Sequence, residues 1–89
     1  MAKRSGSNQR LEVWDRQITG PKEGGEGVYL RLLVDREGRY SFDLRYFGEN
    51  QEKGKRFSTG IGILLDEGQA IALEEALQAG KVALRARSA

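Results

Sequence analysis

Two residue types that often carry chemistry are missing from this chain of 89 residues, which contains no cysteine and no histidine. Without cysteine there are no disulfides, no thiolate zinc sites and no thiol catalysis. Without histidine, the commonest general base and metal ligand is gone. We therefore expect a protein that is not an enzyme, with no catalytic residues, no metal site and no cofactor.

Long apolar runs are missing as well. No stretch approaches the roughly 20 apolar residues that a membrane helix needs, and the opening MAKRSGSNQR lacks the apolar centre of a signal peptide. These absences predict no membrane partner. They also predict a protein that stays where it is made, in the cytoplasm or nucleoid, or in the nucleus if the source is a eukaryote.

The length allows one domain with a modest core, and because small domains bury little surface, pairing of two copies would add stability. We divide the chain into a flexible basic arm at 1–9, a nucleic-acid-binding domain at 10–80 and a basic tail at 81–89. The net charge is only +2, but ten arginines stand against five lysines. This excess of arginine favours nucleic-acid binding, because guanidinium groups bind phosphates and stack on bases.

Four segments have the alternation of β-strands. RLEVWDRQI sets Leu11 and Val13 against Trp14 and two arginines. The glycine-rich TGPKEGGEG, for which we expect little fixed structure, leads to VYLRLLVD. A tight turn at DREG, where Gly38 can take positive φ, then leads to the third strand.

The third and fourth strands each show one apolar face. GRYSFDLRYF places Tyr40, Phe42 and Tyr46 in the predicted core and Arg45 on the opposite side. FSTGIGILL continues the apolar face with Phe57, Thr59, Ile61 and Ile63. Its glycines, Gly60 and Gly62, are expected to leave the other face bare.

One helix follows the strands. Asp66 is a predicted N-cap with Gln69 three residues later, a capping-box pattern, and Gly80 offers a stop. The apolar residues of the segment form a helical stripe, which we expect to cover the apolar face of the sheet. The opposite face would then carry Trp14, Arg16, Arg39, Arg45, Phe47, Arg56 and Ser58.

That second face has the composition of a surface for single-stranded nucleic acid. Arginines contact phosphates, and aromatic rings offer stacking platforms of about 1–3 kcal/mol per base. The sequence leaves the roles of two residues undecided. Trp14 either stacks on a base or packs at the sheet edge or in a dimer interface. Arg45 either contacts the ligand or pairs with Asp43.

The segments DREGRYSFDLRYF, KGKR and STGIGILLDEGQAIALEEAL resemble the transcriptional positive cofactor four family, a family of single-stranded-DNA-binding transcriptional coactivators, over roughly residues 28–79. FDLRYF stands where that family reads close to IDIREYW, and TGIGILLDEGQAI stands where it reads close to GKGISL followed by PEEW. The resemblance implies an α+β fold with a curved four-stranded antiparallel sheet and one C-terminal helix, β-β-β-β-α. It also implies that two copies pair through their helices and hold single-stranded DNA along the exposed strands.

The resemblance further implies a homodimer that acts in transcription, replication or repair, with transcription or replication proteins as partners and RNA as an alternative ligand to DNA. Arg45 matches the arginine of the family's third strand, Arg39 matches the basic residue after the turn glycine, and Lys53, Lys55 and Arg56 match its basic loop. Thr59 stands near a position where the family often has lysine, and the helix lacks the family's tryptophan. The predicted nucleic-acid-binding residues are Trp14, Arg16, Arg39, Arg45, Phe47, Lys53, Lys55 and Arg56, and the predicted dimer contacts are Leu73, Leu77 and Leu84.

Two other functions fit parts of the pattern. A three-stranded sheet with one helix, like the arm-binding domains of tyrosine recombinases, would insert its sheet into the major groove of a duplex. RLEVWDRQI argues against that reading because it supplies a fourth strand. A protein-interaction module whose arginine and aromatic face grips an acidic peptide is the other alternative.

Overall fold

The computed structural model describes residues 9–21, 23–50 and 54–88, and these residues form one open sheet followed by one helix. The strands are β1 (Arg10–Gln17), β2 (Gly27–Asp35), β3 (Tyr40–Asn50) and β4 (Lys55–Leu65), and the helix is α1 (Glu67–Ser88). All strand pairs are antiparallel and the order in the sheet is β1-β2-β3-β4. The predicted β-β-β-β-α order is therefore confirmed. Most of the predicted basic arm at 1–9 lies outside the described residues.

The β2–β3 turn has the predicted geometry. Gly38 adopts φ +83°, and the Asp35 carboxylate accepts hydrogen bonds from the backbone N–H groups of Glu37 and Arg39, both at 2.9 Å. The bond from the Arg39 backbone is the main cause that lowers the pKa of Asp35. The turn is thus held by one side chain as well as by the glycine.

The connection between β1 and β2 is better ordered than its glycine content suggests. The Gln17 side-chain amide donates to the carbonyls of Thr19 at 3.2 Å and Glu26 at 3.3 Å, and its oxygen accepts the Gly24 N–H at 2.9 Å. The Tyr29 hydroxyl donates to the Gly25 carbonyl at 2.7 Å. The expectation of little fixed structure is wrong for the described part of this connection, because two side chains satisfy its backbone groups.

The strand register defines two faces of the sheet. On β2, Tyr29, Arg31 and Leu33 pair with Arg45, Asp43 and Ser41 of β3. With their neighbours they form what we call the arginine face: Tyr29, Arg31, Leu33, Asp43, Arg45, Phe47 and Arg56. The alternate residues, among them Leu30, Leu32, Tyr40 and Phe42, form the apolar face, toward which α1 lies.

A β-bulge at Val13 changes the faces of β1. Glu12 pairs with Leu33, and Trp14, two residues later, pairs with the next residue of β2, Leu32. One extra residue on one strand reverses the alternation beyond it. Trp14 and Arg16 therefore lie on the apolar face, and their predicted place beside Arg45 is wrong.

The sheet curls toward the arginine face. In a flat sheet, β1 and β4 would lie three strand spacings apart, about 14 Å. Yet Nη2 of Arg56 on β4 lies 2.5 Å from Oδ2 of Asp15 and 3.7 Å from Oε2 of Glu12, both on β1. The strand pairing shifts register at two places, between Glu12 and Trp14 on β1 and opposite Tyr46 on β4. Such β-bulges bend strands.

The buried core lies on the concave side of this curl. Tyr29, Leu33 and Phe47 are at most 6% exposed and Asp43 is 1% exposed, and all four belong to the arginine face. The predicted core on the other face is wrong in four cases, since the exposed fractions are 61% for Tyr40, 53% for Phe57, 69% for Ile61 and 54% for Ile63. Phe42 and Tyr46 are half-buried. Curling brings side chains together on the concave face and spreads them apart on the convex one.

The helix begins as predicted and ends later than predicted. The Gln69 N–H donates to Oδ1 of Asp66 at 2.8 Å, and the Asp66 N–H donates to Oε1 of Gln69 at 3.0 Å, which confirms the capping box. The helix passes through Gly80 and reaches Ser88, so the predicted stop at Gly80 is wrong. Eight further residues continue the helix beyond Gly80, so this weak helix former does not end it.

The helix does not close over its own sheet. Within Glu67–Ser88, all of which the structure describes, no side chain is buried. The radius of gyration of the Cα atoms is 16.1 Å, against about 12 Å for a compact domain of this length. The expectation that one helix covers the apolar face of the same chain is therefore wrong.

Candidate nucleic-acid interface

At the centre of the arginine face, Asp43 binds two arginines. Oδ2 accepts from Nε and Nη2 of Arg31 at 2.9 and 2.7 Å, and Oδ1 accepts from Nε and Nη2 of Arg45 at 3.0 and 2.7 Å. Cross-strand pairing of Arg31 with Asp43 brings the first pair together, and alternation within β3 brings the second. The sequence left open whether Arg45 pairs with Asp43, and the structure shows that it does.

Burial and pairing oppose each other at this carboxylate. Burial acts to raise the pKa of Asp43, but the hydrogen bonds from Arg45 and Arg31 outweigh it, so the pKa lies below its ordinary value. The hydrogen bonds that Arg45 donates to Asp43 raise the pKa of Arg45 against the opposing effect of its burial. Both groups thus remain charged throughout the neutral range.

The guanidinium group of Arg56 lies over two aromatic rings. Its guanidinium carbon lies 4.1 Å from the ring centroid of Tyr29 and 4.5 Å from that of Phe47, and the two rings meet edge to face at 5.1 Å and 71°. Arg31 lies over Phe47 as well, at 5.1 Å. Burial alone would lower the pKa of Arg56, but the hydrogen bond to Asp15 raises it. The aromatic rings are covered by guanidinium groups, so the outermost planar groups are arginines.

Gly62 makes room for Arg45. A Cβ atom at Gly62 would lie 2.6 Å from the carbonyl oxygen of Leu44 and 3.0 Å from the guanidinium carbon of Arg45. The prediction that this glycine leaves the face bare is wrong, because the Arg45 side chain occupies that place. At Gly60, by contrast, a Cβ would meet nothing within 4 Å.

A cleft of about 300 Å³ opens beside the Asp43 cluster. The cleft is lined by three arginines, one carboxylate, two hydroxyl residues and two leucines: Arg10, Arg31, Arg45, Asp43, Ser58, Thr59, Leu33 and Leu64. The backbone carbonyl of Thr59 accepts a hydrogen bond from Nη1 of Arg45 at 3.0 Å. Within the part of the chain that the structure describes, this cleft is where arginine side chains converge from β1, β2 and β3.

The structure separates the predicted binding residues from one another. Arg45, Phe47 and Arg56 share the arginine face, whereas Trp14 and Arg16 lie on the apolar face, with Arg16 5.6 Å from the Trp14 ring centroid. Arg39 is exposed and pairs with Asp35 and Glu37 in the β2–β3 turn, away from this cluster. Lys55 is exposed at the start of β4. Lys53 lies outside the described residues.

Sequence reasoning missed Arg31, Arg10 and Tyr29. Arg31 is the one charged residue in VYLRLLV, and a single charge inside an otherwise apolar strand is a signal that could have indicated it. Arg10 stands on the predicted polar face of β1 but next to the arm, and Tyr29 reads as one more apolar residue. Their roles depend on cross-strand neighbours that the local pattern does not identify.

A second, larger opening lies between the apolar face and α1. This apolar groove, of about 1080 Å³, is lined on the sheet side by Val13, Leu30, Leu32 and Phe42 and on the helix side by Ala70, Ile71, Leu73 and Leu77. Two of the three predicted dimer contacts, Leu73 and Leu77, thus line it. The third, Leu84, is exposed on the last turns of the helix.

Comparison with known proteins returned no matching family model and no significant match to a curated protein or a solved structure. In the described part of the chain, no helix is both long enough and apolar enough to cross a membrane.

Proposed function

We propose that the protein binds single-stranded nucleic acid along the arginine face and does so as a homodimer. The observation that carries the proposal is the position of Arg56 and Arg31 over the rings of Tyr29 and Phe47, on a sheet face against which no helix packs among the described residues. A guanidinium plane fixed on an aromatic ring presents its outer side to a base and its edge to a phosphate. The resemblance in sequence supports the same ligand, with a role in transcription, replication or repair.

The shape of the face favours a single strand over a duplex. A sheet that enters the major groove must present a flat or convex surface, whereas the arginine face is concave. The three-stranded architecture that would suit a groove reader is also absent, since four strands are present among the described residues. An extended strand can lie within such a concavity.

The charge of the face is largely balanced within the protein. Arg31 pairs with Glu12 at 3.3 Å as well as with Asp43, and Arg56 pairs with Asp15. Phosphate attraction must therefore come mainly from exposed cations at the margin, of which Arg10 and Lys55 are two. We expect a moderate salt dependence with few counterions released, rather than the steep dependence of a strongly basic groove.

A second copy of the chain is the proposed occupant of the apolar groove. Helix residues that line it include Leu73, Glu74, Leu77 and Lys81, and Glu74 and Lys81 lie two helical turns apart on one side of α1. Two antiparallel helices related by a two-fold axis near Leu77 would bring each Glu74 toward the other Lys81. The extended shape of the single chain supports this, because pairing would bury apolar surface that one copy leaves exposed.

The test is a titration of labelled single-stranded and duplex oligonucleotides of the same sequence at two salt concentrations. We expect the single strand to bind more tightly, with little dependence on sequence and weaker binding at the higher salt concentration. Equal or tighter binding of the duplex would support the groove-reading alternative instead. Absence of binding to either would reject the proposal and leave the acidic-peptide module.

A further inference from the structure

We propose that the cleft between Arg10, Arg31 and Arg45 seats one phosphate group, and that Asp43 is the positioning residue that holds two of these arginines in place. The inference rests on the proposed function and assigns a specific contact to it. The cleft holds about 300 Å³ and is walled by these arginines together with Ser58 and Thr59. That volume admits a phosphate with part of its sugar.

Only some of the arginine N–H groups around the cleft donate hydrogen bonds within the described residues. A guanidinium has five N–H groups. Arg31 donates three of its own to Asp43 and Glu12, and Arg45 donates three to Asp43 and the Thr59 carbonyl. Two N–H groups on each arginine therefore have no acceptor among the described residues. Oxygen atoms of a phosphate are the acceptors that planar guanidinium groups bind best.

The charge count favours a monoanion. Arg10, Arg31 and Arg45 contribute three positive charges, and Asp43 and Glu12 contribute two negative charges, which leaves one positive charge unbalanced. A phosphodiester carries one negative charge and a terminal phosphate carries more. The source of the phosphate is therefore an internal linkage of a strand rather than its end.

Asp43 preorganises the side chains of Arg31 and Arg45 for binding. Its side chain lines the cleft but is only 1% exposed, and both carboxylate oxygens accept hydrogen bonds from Arg31 or Arg45, which offsets its repulsion of a bound anion. Because Nε and Nη2 of each arginine face Asp43, the remaining N–H groups are turned away from it. Arginines fixed in this way lose little side-chain entropy when a phosphate binds.

The experiment measures binding of a labelled single-stranded oligonucleotide as a function of salt for the wild type, Arg10→Ala and Arg36→Ala. Arg10 is exposed at the edge of β1, so its truncation leaves the fold intact, and Arg36 is an exposed cation in the β2–β3 turn that serves as the matched control. For Arg10→Ala we expect roughly fivefold to tenfold weaker binding at low salt. We also expect the slope of log K against log salt to become shallower by about 0.7, the value of one phosphate contact on a single strand. Arg36→Ala should change neither.

A second arm distinguishes the source of the phosphate. Adding a 5′-phosphate to the oligonucleotide should leave the affinity unchanged, whereas replacing internal linkages with neutral methylphosphonates should weaken wild-type binding and abolish the difference between the wild type and Arg10→Ala. A gain in affinity from the 5′-phosphate that disappears in Arg10→Ala would overturn the internal-linkage assignment.

The phosphate seat and nucleic-acid binding by the protein are rejected by different results. If the wild type binds the oligonucleotide and Arg10→Ala matches it in affinity and slope, the phosphate seat is wrong and the proposed function stands. If the wild type binds no oligonucleotide, the proposed function is wrong. The seat is then judged by NMR of the arginine Nε–H signals during titration with dimethyl phosphate, where unchanged signals of Arg31 and Arg45 reject it.

Discussion

Arg56 and Asp15 join the two edge strands of the sheet across its concave face. Nη2 of Arg56 lies 2.5 Å from Oδ2 of Asp15, although β2 and β3 lie between their strands. The same guanidinium group lies over the rings of Tyr29 on β2 and Phe47 on β3. One side chain thus connects all four strands.

The first prediction is that Arg56 and Asp15 contribute jointly to stability. Arg56→Ala should lower the free energy of unfolding by about 1–2 kcal/mol, because it removes the cation–π contacts with two rings as well as a partly exposed ion pair. A double-mutant cycle with Asp15→Ala, followed by urea denaturation, should give a coupling energy of about 0.5–1 kcal/mol. Strictly additive effects would show that the contact does not tie β1 to β4.

The second prediction concerns the pH dependence conferred by Asp43. Its pKa is lower in the folded protein than in the unfolded chain, so its stabilising contribution is present above the unfolded pKa and is lost as pH falls through the folded pKa. Asp43→Asn should cost about 3 kcal/mol at neutral pH, since it leaves two guanidinium groups without their shared carboxylate.

Urea denaturation of the wild type and Asp43→Asn from about pH 7 to about pH 2 tests this sign. The difference between the two proteins should shrink in the acid range. A difference that stays constant with pH would mean that the charge of Asp43 contributes nothing.

The third prediction separates folding from binding at Arg45. Removal of an exposed side chain without a partner would cost no more than about 0.5 kcal/mol. The hydrogen bonds to Asp43 and to the Thr59 carbonyl instead predict a cost of about 1–3 kcal/mol for Arg45→Ala. The folded variant should also bind a single strand more weakly by about 1–3 kcal/mol. Fluorescence anisotropy under conditions where the variant is folded tests this, and unchanged affinity would reduce Arg45 to a structural partner of Asp43.

The fourth prediction uses two glycines of β4 as a matched pair. Gly62→Ala should destabilise the protein by about 1–3 kcal/mol, because the new Cβ would meet backbone atoms of Leu44 and Arg45 that cannot move aside. Gly60→Ala should be neutral or slightly stabilising, since nothing lies within 4 Å. Thermal or urea unfolding of both variants gives the comparison, and equal costs would contradict the packing described for Arg45.

The fifth prediction is that Leu77 holds two copies together. Leu77 is 60% exposed in the single chain and lines the apolar groove, so Leu77→Asp should produce a folded monomer where the wild type sediments as a dimer at micromolar concentration. Ile61→Asp is the control, because Ile61 on β4 is an apolar residue that is at least as exposed, at 69%, and does not line the groove. A monomeric wild type, or a dimer unaffected by Leu77→Asp, would refute the pairing.

The order of the elements was determined by the sequence alone. The alternation of YSFDLRYF, the glycine of DREG and the Asp66–Gln69 capping box each lie within a few residues of the structure they specify. Such signals work because strand period, turn geometry and helix capping are local interactions. They were sufficient for four strands, one hairpin turn and the start of one helix.

The faces, the core and the site were decided by the tertiary structure. The bulge at Val13 inverts the alternation for Trp14 and Arg16, and the contact from Arg56 to Asp15, which are 41 residues apart, curls the sheet so that the arginine face becomes the buried one. A single extra residue or one long-range contact leaves no trace in local periodicity, because the period of a strand says which residues alternate and not which side will be concave. Thus the sequence identified Arg45 and Asp43 as neighbours on one face, and the structure determined that they bind each other.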